Sequence, residues 1–226
     1  MQGNELSGWV VKGLLAMLLF AAVTAGQTTV DKSVATVSDG LRTELITYSD
    51  LLWQLALMPG TTVEQPSSED LNRALQLQIN QRLFALEAER LPREAPTDAE
   101  IDKAISELLE VFPIIEFERR LRAVGFTSVK DPNFVEIIRK RLSINEYLSF
   151  RFRAFTVITP EELDRYYNQT FVPDFRRRYP GVVVPTFAEK QAEITNILTE
   201  QKVAANIETF LDEAKRRAQV VILSEV

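Results

Sequence analysis

The chain has 226 residues, 46% hydrophobic and 26% charged, a balance that fits a folded domain rather than a disordered one. It contains no histidine and no cysteine, which excludes thiol nucleophiles, disulfides, Cys/His zinc sites and any mechanism with imidazole as base. A net charge of −6 argues against the broad basic face that nucleic acid requires.

The N-terminus reads as an export signal. Lys12 and the free amine supply positive charge, residues 13–22 are almost wholly apolar, and Val23-Thr24-Ala25 presents small or compact side chains at the positions before a cleavage point between Ala25 and Gly26. The uninterrupted apolar stretch is about 14 residues, whereas a spanning helix needs about 20. A retained membrane anchor is the alternative. Because no cysteine follows the apolar stretch, no lipid anchor can be attached there.

Residues 30–37 are rich in β-branched side chains, Ser38-Asp39-Gly40 has turn chemistry, and residues 41–47 offer a second β-compatible run, so a hairpin is expected. Ser49 is placed to cap a helix that runs to Met58 and stops at Pro59-Gly60. Ser68, Glu69 and Asp70 open a longer helix with Leu71, Leu75, Ile79, Leu83 and Leu86 on one stripe, ended by Pro92.

Thr97 and Glu100 form the next capping box, ahead of Ile101, Ile105, Leu108 and Phe112; Pro113 breaks that helix, and a short partner carrying Phe117, Leu121 and Val124 ends at Gly125. Asp131-Pro132 starts a helix whose Phe134, Ile138, Leu142 and Leu148 face inward, with Arg139, Lys140 and Arg141 mostly outward. After a short extended passage at 155–158, Thr159-Pro160-Glu161-Glu162 opens a helix holding Tyr166 and Tyr167. Residues 168–185 read as a Pro- and Arg-containing loop. The last helix begins at the Thr186/Glu189 capping box and carries Ile194, Ile197, Leu198, Ile207, Phe210, Leu211 and Ala214 on one face. It ends at Lys215-Arg216-Arg217, as the helix dipole favours, and residues 219–223 form a β-type run.

These segments resemble the core of SurA-type periplasmic chaperones. The likeness rests on residues 117–167 with their restart at Thr159-Pro160-Glu161-Glu162, on 30–51, similar to that family's first strands and helix, and on the closing helix and strand at 187–223. In SurA-like and PpiD-like proteins a parvulin prolyl isomerase module follows the position of Tyr167. Here about 18 residues stand in its place, against the roughly 50 of a small domain, so no isomerase residue can be carried over. The resemblance implies a mainly α-helical domain over 26–226 after a signal peptide at 1–25. Within it, 30–167 are the N-terminal strands and helical core, 168–185 a short loop, and 186–226 the closing helix and strand, which completes a small β element with the hairpin.

The implied function is ATP-independent holding of unfolded outer-membrane or other envelope polypeptides in the periplasm, without cofactor or metal; no nucleotide-binding loop is present. Two other readings stay open: a prolyl isomerase of the SurA/PpiD type, and an envelope adaptor that docks one folded partner. With a retained anchor, the protein would sit in the inner membrane facing the periplasm.

A holdase needs accessible apolar surface, and the chain has 13 Phe and five Tyr. Two dense runs, 150–155 and 171–179, alternate aromatics with Arg or Pro and cannot all face one helical core. Phe150, Phe152, Phe171, Phe175 and Tyr179 are therefore the candidate client-binding residues. Equally, aromatics at such places seal joints between helices. Arg176-Arg177-Arg178 beside Tyr179 suit weak contact with anionic lipid or a client, or simple solvation. Asn168-Gln169-Thr170 matches a glycosylation acceptor, which bacterial export would leave unread. The acid pairs Glu107/Glu110 and Glu116/Glu118 read as surface charge.

Overall fold

A computed structural model of the chain describes residues 31–91 and 94–226. The export segment, with Ala25 and Gly26, lies outside them, as does Pro92. The chain is mainly α-helical with one small antiparallel sheet.

Strands β1 (Ser33–Ser38) and β2 (Thr43–Thr47) form the expected hairpin, with β2 starting two residues later than the β-compatible run suggested. Its turn closes because the Asp39 carboxylate accepts from the Leu41 and Arg42 amides at 2.9 and 2.8 Å, while Gly40 takes φ +88°. Strand β3 (Gln219–Ile222) pairs with the other edge of β1, giving the order β2-β1-β3. The two ends of the described chain therefore meet in one sheet. Lys32–Val226 make a single unit.

Helix α1 (Tyr48–Ala56) starts directly from β2. Its cap is Thr47 rather than Ser49: the Thr47 hydroxyl accepts from the Asp50 amide at 3.3 Å and the Asp50 carboxylate accepts from the Thr47 amide at 2.9 Å. The Thr-x-x-Asp pairing satisfies two first-turn donors at once, which Ser49 cannot do. Helix α2 (Ser68–Ala88) is likewise capped one residue early, by Ser67.

Helices α3 (Asp98–Val111) and α5 (Pro132–Leu148) start at the expected caps, Thr97 and Asp131, and α4 (Ile114–Ala123) follows the break at Pro113 without a side-chain cap. Gly125, at φ +96°, closes α4 with the Phe126 amide donating to Leu121 O and the Gly125 amide to Arg122 O. A π-helical turn (Ser149–Arg153) prolongs α5. Helix α6 (Pro160–Tyr166) leads through a second π turn (Tyr167–Phe171) into α7 (Val172–Arg178), and α8 (Phe187–Arg217) returns to the sheet.

Most of 168–178 is thus helical, which corrects the loop expected over 168–185. Pro173 argues locally against a helix, since it lacks an amide and its ring crowds the carbonyl four residues back, but a π turn placed immediately before it widens the spiral and relieves both. Within this segment, helix gives way to irregular structure at Tyr179, and α8 begins after Thr186.

Three apolar clusters hold these elements. The inner face of the sheet packs on α1, α2 and the end of α8 through Val34, Val37, Ile46, Leu51, Leu55, Leu75 and Ala214. A second core joins α1, α3, α4 and α5 around Phe112, Phe117, Phe126 and Phe134, whose rings lie 5.2 to 5.9 Å apart. The third is Phe84, Tyr147 and Phe210, where α2, α5 and α8 meet. In contrast, Leu163, Ile194 and Val203 are the buried apolar residues of the arm made by α6, α7 and the first half of α8, among the described residues. A hairpin of helices with so thin a seam leaves much of its apolar surface available.

Candidate functional site

The arm carries a ladder of rings. Tyr167, Phe171, Phe175 and Tyr179 recur every four residues, a spacing that puts them on one face of a helical stretch. Their centroids are separated by 5.7, 5.8 and 5.0 Å in turn, and Phe187, at the start of α8, meets Tyr167 edge-on at 5.5 Å. The Tyr167 hydroxyl donates to Pro185 O at 2.9 Å and so ties the return segment to the foot of the ladder. These separations are those of favourable offset and edge-to-face ring pairs.

Between the ladder and α8 lies an open cleft of about 460 Å³. Phe171, Phe175, Tyr179, Val182 and Ile197 give it apolar walls, and Asp174, Arg178, Lys190 and Glu193 stand at its rim. Lys190 pairs with Glu193 at 2.7 Å and sits 5.9 Å from the Phe171 ring centroid; Arg177 pairs with Asp174 at 2.9 Å. Phe171 and Phe175 are half-buried, Tyr179 is 53% exposed, and Val183 beyond it is 88% exposed. Such a cleft offers broad contact area with hydrogen-bonding groups of both charges around it. That combination suits extended polypeptide of varied sequence.

The capping carboxylates frame the arm. Hydrogen bonds from Lys202 and Thr159 hold Glu162 below the ordinary carboxylate range, and those from Thr186 do the same for Glu189. Lys202 also donates to Val157 O at 2.9 Å, locking the entry of α6 onto α8.

The structure brings three of the five candidate residues together and leaves two elsewhere. Phe171, Phe175 and Tyr179 share the cleft. Phe150 lies on the surface near the end of α5, 47% exposed, where it meets the 72%-exposed Phe155 edge-on at 5.9 Å. Phe152 turns the other way and packs on Phe210 at 5.4 Å; Arg151 covers Phe210 at 4.5 Å and donates to the Tyr147 hydroxyl at 2.8 Å. Phe152 thereby seals the third core, a consequence of the π turn, which rotates successive side chains out of the α-helical face.

Sequence reasoning missed Phe155, Val182, Lys190 and Ile197. The four-residue spacing of 167, 171, 175 and 179 was the available signal for a helix across Pro173. Asn168, in the glycosylation-like triplet, donates to the Asp164 carboxylate at 2.9 Å. Glu116 is bound by Arg119 at 2.9 and 3.1 Å, Glu118 by Arg122 at 3.4 Å, and Glu107 by Lys103 at 3.9 Å, as surface charges. Among the described residues no group of acidic side chains is arranged to hold a metal ion, and no helix is long and apolar enough to cross a membrane. Comparison with family models and with curated proteins gives no match to this chain.

Proposed function

We propose that the protein is an ATP-independent holdase, akin to the core of SurA-type chaperones, that binds unfolded outer-membrane or other envelope polypeptides after its own export to the periplasm. The observation that carries this reading is the aromatic ladder facing an open cleft in an arm whose helices share only a thin buried seam. Phe171, Phe175 and Tyr179 are the principal client contacts, and the Phe150–Phe155 pair is a second, smaller one. Rim charges of both signs let many client sequences bind, so contact is broad and weak at each point.

The test is aggregation of a denatured β-barrel client with and without the protein lacking residues 1–25. Suppression is expected, and Phe171→Ser, Phe175→Ser and Tyr179→Ser together should reduce it while helical content is kept. At about 1 kcal/mol per ring, the triple substitution weakens client binding about a hundredfold. A folded triple variant that protects as well as the wild type would remove the cleft from client binding. Catalysed proline isomerisation in a peptide assay would replace the holdase reading with the isomerase one, and a single tight stoichiometric complex without aggregation suppression would favour the adaptor.

A further inference from the structure

A second cavity, of about 330 Å³, lies where α1, α2 and α5 meet. Its apolar walls come from Trp53, Leu57, Ala85, Ile137 and Ile144, and its polar lining is mostly spoken for. Asp50 binds Arg82 at 3.2 Å through one oxygen and caps α1 through the other. Arg139 donates to Pro96 O at 2.9 Å and pairs with Glu136 at 3.5 Å, and Glu89 pairs with Arg42.

Arg141 is different. It was expected to point outward, yet it is half-buried against this cavity. Among the described residues it has neither a carboxylate nor a carbonyl partner. Burial pushes its guanidinium below the ordinary value with no neighbouring charge to offset the effect. Arg120, which is fully buried, instead donates five hydrogen bonds. A half-buried guanidinium with no protein partner gains two charge-assisted hydrogen bonds when a carboxylate replaces the water at its nitrogens. The buried Nε of Arg82, also on the cavity wall, lacks a hydrogen-bond partner as well.

We infer that this cavity is a binding site for a carboxylate attached to a small apolar body, with Arg141 engaging the carboxylate and Trp53, Leu57 and Ile144 enclosing the apolar part. A planar guanidinium matches a carboxylate through two parallel hydrogen bonds, and a cavity of this volume lies at the small end of ligand pockets. The carboxylate comes either from a free small acid or from the C-terminus of a chain. The site is separate from the arm cleft and does not depend on the holdase reading.

Calorimetric titration of the protein with N-acetyl-leucine and with its amide tests this. The acid should bind at least tenfold more tightly than the amide and raise the Tm. Arg141→Met, which keeps the side chain's length but removes the charge, should abolish that preference without lowering the Tm of the ligand-free protein. The triple substitution in the arm should leave the preference unchanged. Competition by a tripeptide ending in a free carboxylate, but not by its amidated form, assigns the site to chain ends; binding of the small acid alone assigns it to free acids. Equal binding of acid and amide, absence of binding to either, or a preference that survives Arg141→Met would overturn the inference.

Discussion

Replacing Arg120 by Met tests whether one buried cation holds the end of α1. The guanidinium donates to Leu55 O and Thr61 O at 2.6 Å, to Met58 O at 2.9 Å, to Thr61 Oγ1 at 3.0 Å and, through Nε, to Ala56 O at 3.1 Å. Leu55 and Ala56 lie in the last turn of α1, where carbonyls lack intrahelical partners and a cation is favoured by the helix dipole, while Met58 and Thr61 belong to the segment that follows. The Leu55 and Met58 carbonyls keep the Thr61 hydroxyl as a neighbour at 2.9 Å. The Ala56 and Thr61 carbonyls depend on Arg120. Two buried carbonyls stranded at about 1–3 kcal/mol each, less the relieved cost of burying the charge, give a net loss of about 2–4 kcal/mol. At roughly 2–4 °C per kcal/mol for a domain of this size, the Tm should fall by about 5–15 °C. Urea unfolding followed by far-ultraviolet circular dichroism measures the same quantity. An Arg120→Met protein as stable as the wild type would show that water, or a rearranged 57–61 segment, satisfies these carbonyls, and the assigned role would be wrong.

Removing residues 219–226 strips β3 from β1, together with the Leu223 amide's 2.8 Å bond to Val34 O and the packing of Val220 and Val226 on the first core. With about 1 kcal/mol for each lost ladder bond and an exposed β1 edge, stability should drop by at least about 3 kcal/mol in thermal or urea melts; an unchanged Tm would show that the strand is dispensable. The Asp39 carboxyl is held at about 2, below its ordinary 3.8, by the Arg42 amide first, then the Arg90 guanidinium and the Leu41 amide. A lowered folded-state value means that the unfolded chain takes up the proton more readily, so this contribution is complete above about pH 4 and is lost as pH falls towards 2. Urea midpoints of the wild type and Asp39→Asn should therefore converge below pH 4, and a gap that stays constant from pH 7 to 2.5 would refute the assignment. With no histidine in the chain, the wild-type midpoint should be nearly flat between pH 6 and 8.

Local chemistry was enough to place most helix starts, because a capping box is a contract among four adjacent residues: Thr97 with Glu100, Thr159 with Glu162 and Thr186 with Glu189 all form it. The hairpin turn at Asp39-Gly40 and the stop at Gly125 were legible for the same reason, since each depends on bonds closed within a few residues. The pairing of the closing strand with the hairpin was expected through the family resemblance rather than from spacing, and the structure sets it against β1. Tertiary structure alone decided three things. It placed the π turn that lets the helix pass Pro173, so that the four-residue spacing of Phe171, Phe175 and Tyr179 becomes one wall. It turned Phe152 inward and left Phe150 at the surface, two residues apart in the same segment. And it half-buried Arg141, because the amount of water around a side chain is set by helices distant in sequence: α1 and α2 lie beside α5 from 50 to 90 residues upstream, beyond the reach of any periodicity.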